Sequence, residues 1–252
     1  MIGMGRGIVF LFFFAFVSIV FSAEPPGNVE TLLQANQAYT HADYPTAIEQ
    51  YEQPLKQGDV SGEIHFNLGN AYFRNNQLGK AIFHFRKGQR LAPRDSDIQY
   101  NLAFAREKVT DKIEPVSSLW THLSSLLDFV TEKERYFFVL VWGGVSLILG
   151  LVCLMLKNNK MRWAKNTSFA ILIVSLLLLF VQEKTMEEFG VVSAPEISVY
   201  SGFEQDSAVL FKIHEGVELI RTDSAGESWA QISLADGKKG WVRTEGILFD
   251  AG

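Results

Sequence analysis

Hydrophobic positions divide the chain into three kinds of segment. Residues 8–21, 136–156 and 167–181 are uncharged and mostly apolar, residues 28–109 carry apolar side chains at helical spacing, and residues 190–250 alternate in short runs. Long apolar runs predict membrane helices, a 3.6-residue period predicts amphipathic helices, and alternation predicts strands. The predicted fold is therefore a multi-domain membrane protein with an all-α part, a two-helix transmembrane hairpin and an all-β part.

The first apolar run has the layout of a secretory signal peptide, residues 1–23. Arg6 precedes a mostly apolar stretch from Ile8 to Phe21, and the small residues Ser22 and Ala23 follow. This stretch is shorter than the roughly 20 residues that a membrane span needs. Cleavage after Ser22 or Ala23 and retention as an uncleaved anchor both remain open. Either way, the residues that follow are predicted to be exported.

The two later runs are predicted to form a transmembrane hairpin. Residues 136–156 contain no charge, and residues 167–181 form a shorter second span. Thr131 and Glu134 have the spacing of a capping box and are predicted to begin the first helix. A buried hairpin in a soluble protein is the alternative, but the polar flanks leave no core large enough to hide it. The absence of charge in both spans argues against an ion path or a proton relay.

Small residues define a packing face on each predicted span. Gly143, Ser146 and Gly150 share one face of the first, and Ser168 and Ser175 form a similar face on the second. Small residues let transmembrane helices approach closely. We therefore predict that the two spans pack through these faces.

The segment between the spans, KNNKMRWAKN (residues 157–166), determines the predicted topology. It has four bases and no acid: Lys157, Lys160, Arg162 and Lys165. An excess of Lys and Arg in a short loop marks the cytoplasmic side of a membrane. Both large polar regions are therefore predicted to lie outside the cytoplasm.

The helical region contains two copies of one pattern. Residues 28–61 align with residues 62–95 without a gap. This pattern resembles the tetratricopeptide repeat, a pair of antiparallel helices of about 34 residues in all, and the second copy carries its small and aromatic positions: Leu68, Gly69, Tyr72, Ala81, Phe85 and Pro93. Pro54 predicts a kink or an early helix end near Gln53 in the first copy. Residues 96–109 are predicted to be a fifth, capping helix that packs through Ile98, Leu102 and Ala105.

Arrays of this kind bind extended peptides on the face of their first helices. That resemblance predicts a peptide-binding groove formed by Asn36, Tyr39, Phe66, Asn70, Phe73, Arg74 and Tyr100. The alternative is that the aromatic rings pack between helices and the asparagines bond locally. The sequence leaves the two interpretations open.

Two repeats and a cap are fewer than such a stack normally requires, so another segment should cover its end. Residues 116–130 carry Leu119, Leu123, Leu126, Leu127 and Val130 at helical spacing. This amphipathic linker helix is predicted either to lie in the membrane interface or to pack on the repeats.

Charge is distributed unevenly between these regions. The first repeat has five acids and one base, the second has six bases and two acids, and the residues from Glu183 onward have 13 acids and six bases. A basic second repeat could accept an acidic partner, while the acidic C-terminal region argues against nucleic acid as a partner. The only cysteine, Cys153, lies in the first predicted span, so the chain forms no internal disulfide.

Residues 190–252 resemble a bacterial SH3-type domain, a small β-barrel. The resemblance rests on Ser201-Gly202 after the first strand, on VLFKIHEG, and on the run WAQISLADGKKGWV, in which Asp236-Gly237 predicts a tight turn. It implies a surface of exposed aromatic residues, with Tyr200, Phe203, Trp229 and Trp241 as candidates. For Trp241 the position between Gly240 and Val242 favours a core role, as for Phe211.

No catalytic, metal or cofactor motif is present. The five histidines fit no metal pattern, and neither a nucleophile elbow nor a phosphate loop occurs. His65 and His84 on the second repeat are interpreted as packing or surface residues. The chain is predicted to be a non-enzyme without cofactors.

The order of these parts resembles the E-type family of the Bacteroides aerotolerance (Bat) operon, most clearly in LGNAYFRNNQLGKAIFHFRKGQRLAPRDSDIQYNLAFAR. The resemblance implies an inner-membrane scaffold that acts with von Willebrand factor A-type membrane proteins and a MoxR-type ATPase in stress tolerance. The alternative is a cell-envelope sensor whose barrel binds peptidoglycan peptides. The predicted parts are the signal peptide (1–23), repeats (28–112), linker helix (113–134), first span (135–156), basic loop (157–166), second span (167–183) and SH3-like domain (190–252).

Overall fold

The computed structural model describes residues 29–116, 131–155, 166–174, 188–204 and 206–250. The predicted signal peptide, most of the amphipathic linker helix and nearly all of the basic loop, including its four cationic residues, lie outside the described residues. Most of the second predicted span, including Ser175, also lies outside them.

Five helices form the N-terminal region: α1 Val29–Thr40, α2 Tyr44–Lys56, α3 Gly62–Arg74, α4 Leu78–Leu91 and α5 Ser96–Glu107. Side chains that precede three of them cap their first backbone N–H groups. Asp43 accepts from Thr46 N before α2, Ser61 accepts from Ile64 N before α3, and Asp95 accepts from Ile98 N before α5. The helices thus start where short polar side chains favour an N-cap.

The sequence predicts a kink or an early helix end near Gln53. Helix α2 runs through Pro54 and ends at Lys56, so of these two outcomes the early end is wrong. The proline lies in the last turn, where few intrahelical bonds remain to be lost. Its own carbonyl accepts bonds from Gln57 N and Asp59 N, at 3.0 and 2.9 Å, which close the helix end. A proline so near the C-terminus costs less than one in a helix interior.

The repeat period is visible in the packing of the helix pairs. Ala47 and Ala81, at equivalent positions of the two repeats, are both fully buried, as are the equivalent rings of Tyr51 and Phe85. A Cβ on Gly69 would lie 2.7 Å from the Phe85 ring, so the glycine lets α3 and α4 approach closely. Helix α5 buries the residues predicted for a capping helix, Ile98, Leu102 and Ala105.

Seven antiparallel strands form the C-terminal region: β1 Phe189–Val192, β2 Glu196–Tyr200, β3 Val209–His214, β4 Glu218–Ala225, β5 Trp229–Ser233, β6 Lys239–Arg243 and β7 Ile247–Phe249. Their order in the sheet is β3-β2-β6-β5-β4-β1-β7. Strands β2, β5 and β6 alternate between buried and more exposed residues, as the sequence pattern predicts. The turn at Asp236-Gly237 is present, with Gly237 at φ +85°.

The helical array and the sheet pack directly on each other. The rings of Phe83 on α4 and Phe189 on β1 lie 5.6 Å apart, and both side chains are buried. All four residues of β1 are buried. Strands β4 and β7 pair with its two edges, and α4 packs against it. The two regions therefore share one hydrophobic core.

The start of α4 depends on the sheet. Gln77, which precedes the helix, provides no side-chain cap, and Glu215 from the β3–β4 turn accepts from Gly79 N at 2.9 Å instead. A Cβ on Gly79 would lie 2.2 Å from the Val192 carbonyl oxygen. Gly79 thus permits a backbone contact between the helical array and the sheet.

A sixth helix, α6 Glu132–Met155, follows the helical array. Its predicted capping box is confirmed, because Glu134 N donates to Thr131 Oγ1 at 3.2 Å and Thr131 N donates to Glu134 Oε2 at 3.0 Å. Among the described residues, α6 is the helix whose length and composition would let it cross a membrane. Residues 166–174 form a seventh helix, α7.

Helices α6 and α7 contact each other through serines. Ser146 Oγ donates to the Ser168 carbonyl, and Ser168 Oγ donates to the Ser146 carbonyl at 2.5 Å. Both side chains are buried, and a Cβ on Gly150 would lie 3.2 Å from Ser168 Oγ. Gly143 is half-buried one turn before Ser146.

Candidate functional site

The first helices of the array present one continuous open face. On α3 the less buried residues recur at helical spacing, and the residues one repeat before and one repeat after them occupy the same face of α1 and α5. We call this surface the open face. It comprises residues 29, 32, 33, 36, 39 and 40 of α1, residues 63, 66, 67, 70, 73 and 74 of α3, and residues 97, 100, 101, 104, 107 and 108 at α5.

The predicted asparagines of this face are bonded within the array. Tyr51 Oη donates to Asn36 Oδ1 at 2.5 Å, and Asn101 Nδ2 donates to Asn70 Oδ1 at 2.7 Å. Asn67, half-buried on the same face, makes no side-chain hydrogen bond to any other described residue. Within the part of the chain that the structure describes, Asn67 is therefore the amide of the open face whose Oδ1 and Nδ2 are both available.

Sequence reasoning missed Asn67 and Asn101, although a signal for them exists. They are one repeat period apart, as Asn36 and Asn70 are, so the period that identified one asparagine pair also marks the second. Residues three apart on a helix lie on the same face, which joins Asn67 to Asn70.

The predicted aromatic residues pack mostly between helices. The Phe66 ring lies 6.2 Å from Phe85, and the Phe73 ring lies 5.7 Å from Phe104. Tyr100 differs, since 70% of its side chain is exposed. Apart from Tyr100 on α5, these aromatic residues of the open face therefore pack against other rings.

One end of the open face carries cations above aromatic rings. The guanidinium of Arg74 lies 5.3 Å from the centre of the Tyr44 ring, and Tyr44 contacts Tyr39 edge to face at 5.6 Å. The Lys108 ammonium lies 4.9 Å from the Phe104 ring. These cation–π contacts fix the orientation of two charged side chains that border the open face.

A second candidate surface, made of aromatic side chains, lies on the sheet. Its four predicted residues form two edge-to-face pairs, with ring centres 5.5 Å apart for Tyr200 and Trp229 and 4.9 Å apart for Phe203 and Trp241. Tyr200 is the cross-strand partner of Trp241, so both point to the same side of the sheet. We call these four residues the outer aromatic surface.

The core role favoured for Trp241 is wrong. Gly240 and Val242 are buried, and strand alternation turns Trp241 to the opposite side, where it is half-buried. A Cβ on Gly240 would lie 2.4 Å from the Val199 side chain, so the space beneath the strand is already filled. Phe211, by contrast, packs against the core.

The acidic partner of the basic second repeat is the chain's own sheet. Glu218 on β4 binds Arg86 of α4 at 3.1 Å and Arg106 of α5 at 2.5 Å. Burial tends to raise the pKa of Glu218, but the hydrogen bond from Arg106 and the two cationic charges outweigh it, so the pKa is lowered. The carboxylate is therefore held in its charged form between two helices.

Asp250 repeats this arrangement beyond β7. Its carboxylate binds Lys87 at 2.8 Å and Arg90 at 2.6 Å, both from α4. The opposite charges of the second repeat and the C-terminal region are thus in contact within one molecule.

His65 and His84 form a buried pair between α3 and α4. Their Nδ1 atoms lie 3.0 Å apart and their rings stack. Burial lowers the pKa of His65 to about 4, helped by the charge of Lys87, and burial also lowers the pKa of His84. The pair is neutral at pH 7 and makes a packing contact.

The described residues contain no group of three or more His, Cys, Asp or Glu side chains that could hold a metal ion. The open face and the outer aromatic surface are the candidate interaction surfaces of the described residues.

Comparison with known proteins identifies the second repeat. Residues 62–95 match the tetratricopeptide repeat family. This match covers α3, α4 and the loop before α5, and it confirms the repeat interpretation for this part of the chain. Tetratricopeptide repeats are typically non-catalytic modules of protein–protein interaction. No curated protein matches the chain.

Proposed function

We propose that this protein is a non-catalytic, membrane-anchored scaffold that recruits a protein partner through the open face of its tetratricopeptide repeats. The observation that carries the proposal is the open face itself. On it the Asn67 amide, which has no side-chain hydrogen bond among the described residues, lies near the Phe66 and Phe73 rings that pack on other rings. The backbone groups of a bound extended peptide need hydrogen-bond partners, which a side-chain amide supplies. The apolar side chains of the peptide need a preorganised apolar surface, which packed aromatic rings supply. Both are present on α3.

Membrane anchoring by a two-span hairpin is supported by the contact between the helical array and the sheet. These regions share a buried core and several ion pairs, so they stand on one side of any bilayer. If α6 crosses a membrane, an even number of crossings would return the chain to the same side, so the shared core supports a second span after α6. Its exposed apolar side chains, such as Leu140 at 71% and Ile148 at 64%, favour contact with lipid over a role as a soluble core helix.

The positive charge of the basic loop supports a cytoplasmic position for that loop. The proposed topology then has the hairpin in the inner membrane and the repeats and the sheet in the periplasm. The resemblance to the Bat E-type family adds the class of partner, a von Willebrand factor A-type membrane protein acting with a MoxR-type ATPase. Both features belong to the proposal.

Affinity purification of the full chain from native membranes tests it. The variant Asn67→Lys places a long charged side chain in the middle of the open face, and we expect at least a tenfold loss of the captured partner. Gln57→Lys is the matched control, because it makes the same charge change at an exposed loop position. Equal capture by wild type and both variants would remove the open face as the binding site.

A second function is favoured by the outer aromatic surface, which forms two ring pairs on one side of the sheet. An SH3-like domain with this surface would bind peptidoglycan peptides and act as an envelope sensor. Retention of the full chain on purified sacculi tests this, with Trp241→Ala expected to abolish retention. Trp142→Ala on α6 should leave it intact, and no retention of the wild type would exclude the function.

A further inference from the structure

Strand β3 lies at one end of the sheet, where its hydrogen-bonded neighbour is β2. The opposite edge strand, β7, is protected, because Ile247 is buried and Asp250 just beyond the strand binds two cations of α4. An edge strand presents a row of backbone N–H and C=O groups that no strand of its own sheet binds. Among the described strands, β3 is therefore the edge to which another strand could be added.

The C-terminal half of β3 is protected by side chains of the same molecule. The N–H of His214 donates to the Asp111 carboxylate at 2.7 Å, which closes this end of the edge. Lys212 binds Glu196 at 2.7 Å and places a charged pair beside the strand. Covering segments and charged side chains are the usual means by which edge strands are kept from pairing with other chains. This half of β3 is thus unsuited to a further strand.

The N-terminal half of β3 is apolar and exposed. Val209 and Leu210 are each 52% exposed. Within the described part of residues 188–250, the exposed large hydrophobic side chains are these two and Phe203, which precedes the strand. A register shift in the β2–β3 pair also leaves Leu210 without a cross-strand partner. Exposed apolar side chains beside an open sheet edge are typical of a site where a strand is added.

Acidic side chains precede this half of the strand. Glu204 and Asp206 are exposed, and neither forms an ion pair with another described residue. The lysines beside β3, Lys212 and Lys238, are each paired with an acid of the sheet region, at 2.7 and 2.8 Å. The unpaired charge next to the apolar half is therefore negative. A cationic side chain in a partner complements it.

We propose that the Val209–Leu210 half of β3 is a docking edge for an extended segment of another protein, which joins the sheet as an additional strand. The backbone of that segment binds the open edge, and its apolar side chains contact Val209 and Leu210. A Lys or Arg at one end of the segment lies beside Glu204 and Asp206. The inference is independent of the open face and of the outer aromatic surface, because it rests on the backbone of an edge strand.

Binding of a fluorescein-labelled peptide, KVTVTVK, to the full chain in mild detergent tests the proposal by fluorescence anisotropy. Val209→Asp disrupts the apolar edge, and we expect about tenfold weaker binding. Charge repulsion does not explain such a loss, because an aspartate attracts the lysines of the peptide. Val60→Asp is the matched control at a 47% exposed valine in the loop before α3, and it should bind as the wild type does. No binding to the wild type, or equal affinities of all three proteins, would overturn the proposal.

Two N-methylated peptides distinguish strand addition from contact through side chains alone. One carries the methyl groups on the backbone nitrogens of both threonines, and the other carries them on the first two valines. Successive N–H groups of a strand point to opposite edges, so one peptide loses its bonds to β3 and should bind about tenfold more weakly than the other. Equal affinities of the two peptides would refute strand addition.

Two further measurements test the kind of partner. The peptide EVTVTVE should bind about fivefold more weakly than KVTVTVK, because its glutamates would lie beside Glu204 and Asp206. Equal affinities would remove the cationic end from the proposal. Sedimentation of the full chain examines a second copy as the occupant. A dimer that Val209→Asp dissociates and Val60→Asp preserves would make this edge an interface between copies and would overturn the proposal.

Discussion

Acidification from pH 7 to pH 5 should destabilise the helical array through its buried histidines. His65 and His84 are neutral in the folded protein because burial lowers the pKa of each, with Lys87 adding to the effect on both. Lys80 also disfavours the charged form of His84, while Asp250 acts in the opposite direction on His65. The unfolded chain, in contrast, binds protons at the ordinary histidine pKa of about 6.5.

The expected loss follows from the difference in pKa between the two states. Because the folded pKa is lowered, the stabilisation is present above about pH 6.5 and is lost as the pH falls toward 4. For His65 alone the loss between pH 7 and pH 5 is about 2 kcal/mol. His84 contributes in the same direction, so this is a lower bound. For a folding unit made of the helical array and the sheet together, a loss of 2 kcal/mol lowers the melting temperature by about 4–8 °C.

Thermal unfolding of the full chain in a mild detergent, followed by circular dichroism at both pH values, measures this loss. The double variant His65→Gln/His84→Gln should lose little stability between pH 7 and pH 5. The variant His41→Gln, at an exposed histidine, should keep the full loss. A wild-type melting temperature that is the same at both pH values would refute the reasoning. So would imidazole NMR signals of a folded protein that report protonation of both buried histidines near pH 6.5.

Two substitutions test the contact between the array and the sheet. Gly79→Ala should destabilise the protein by about 1–3 kcal/mol in a thermal melt, because the new Cβ would overlap the backbone of β1. Gly144→Ala is the control: its new Cβ would meet no atom within 4 Å, so it should be neutral or stabilising. Glu218→Gln should cost about 1–2 kcal/mol in urea unfolding because Arg86 and Arg106 lose the negative charge between them. Glu196→Gln, at an exposed ion pair, should cost less than Glu218→Gln. Equal effects of Gly79→Ala and Gly144→Ala, or of the two Glu→Gln variants, would show that the interface contributes no net stability.

The local elements could be predicted because their causes are local. The helix pairs follow from small and aromatic residues that recur once per repeat, and the strands follow from alternation. The capping box before α6 needs only Thr131 and Glu134. The misjudged end of α2 is also local, since the effect of Pro54 depends on how many turns follow it.

The candidate surfaces were only partly predictable. Sequence spacing placed Asn36 and Asn70 on one face but could not show that Tyr51 and Asn101 already occupy them. The orientation of Trp241 depended on which side of its strand was filled. These outcomes are set by neighbours that are distant in the chain.

The sequence by itself determined the period of the repeats, the positions of the strands and the opposite charges of the second repeat and the C-terminal region. Only the tertiary structure decided that these charges meet, with Glu218 and Asp250 bound to cations of α4 and α5. It also decided that Gly79 and Glu215 join the start of α4 to the sheet. The physical reason is that periodicity and capping arise from residues a few positions apart. A contact between residues far apart in the chain depends on the packing of two complete surfaces.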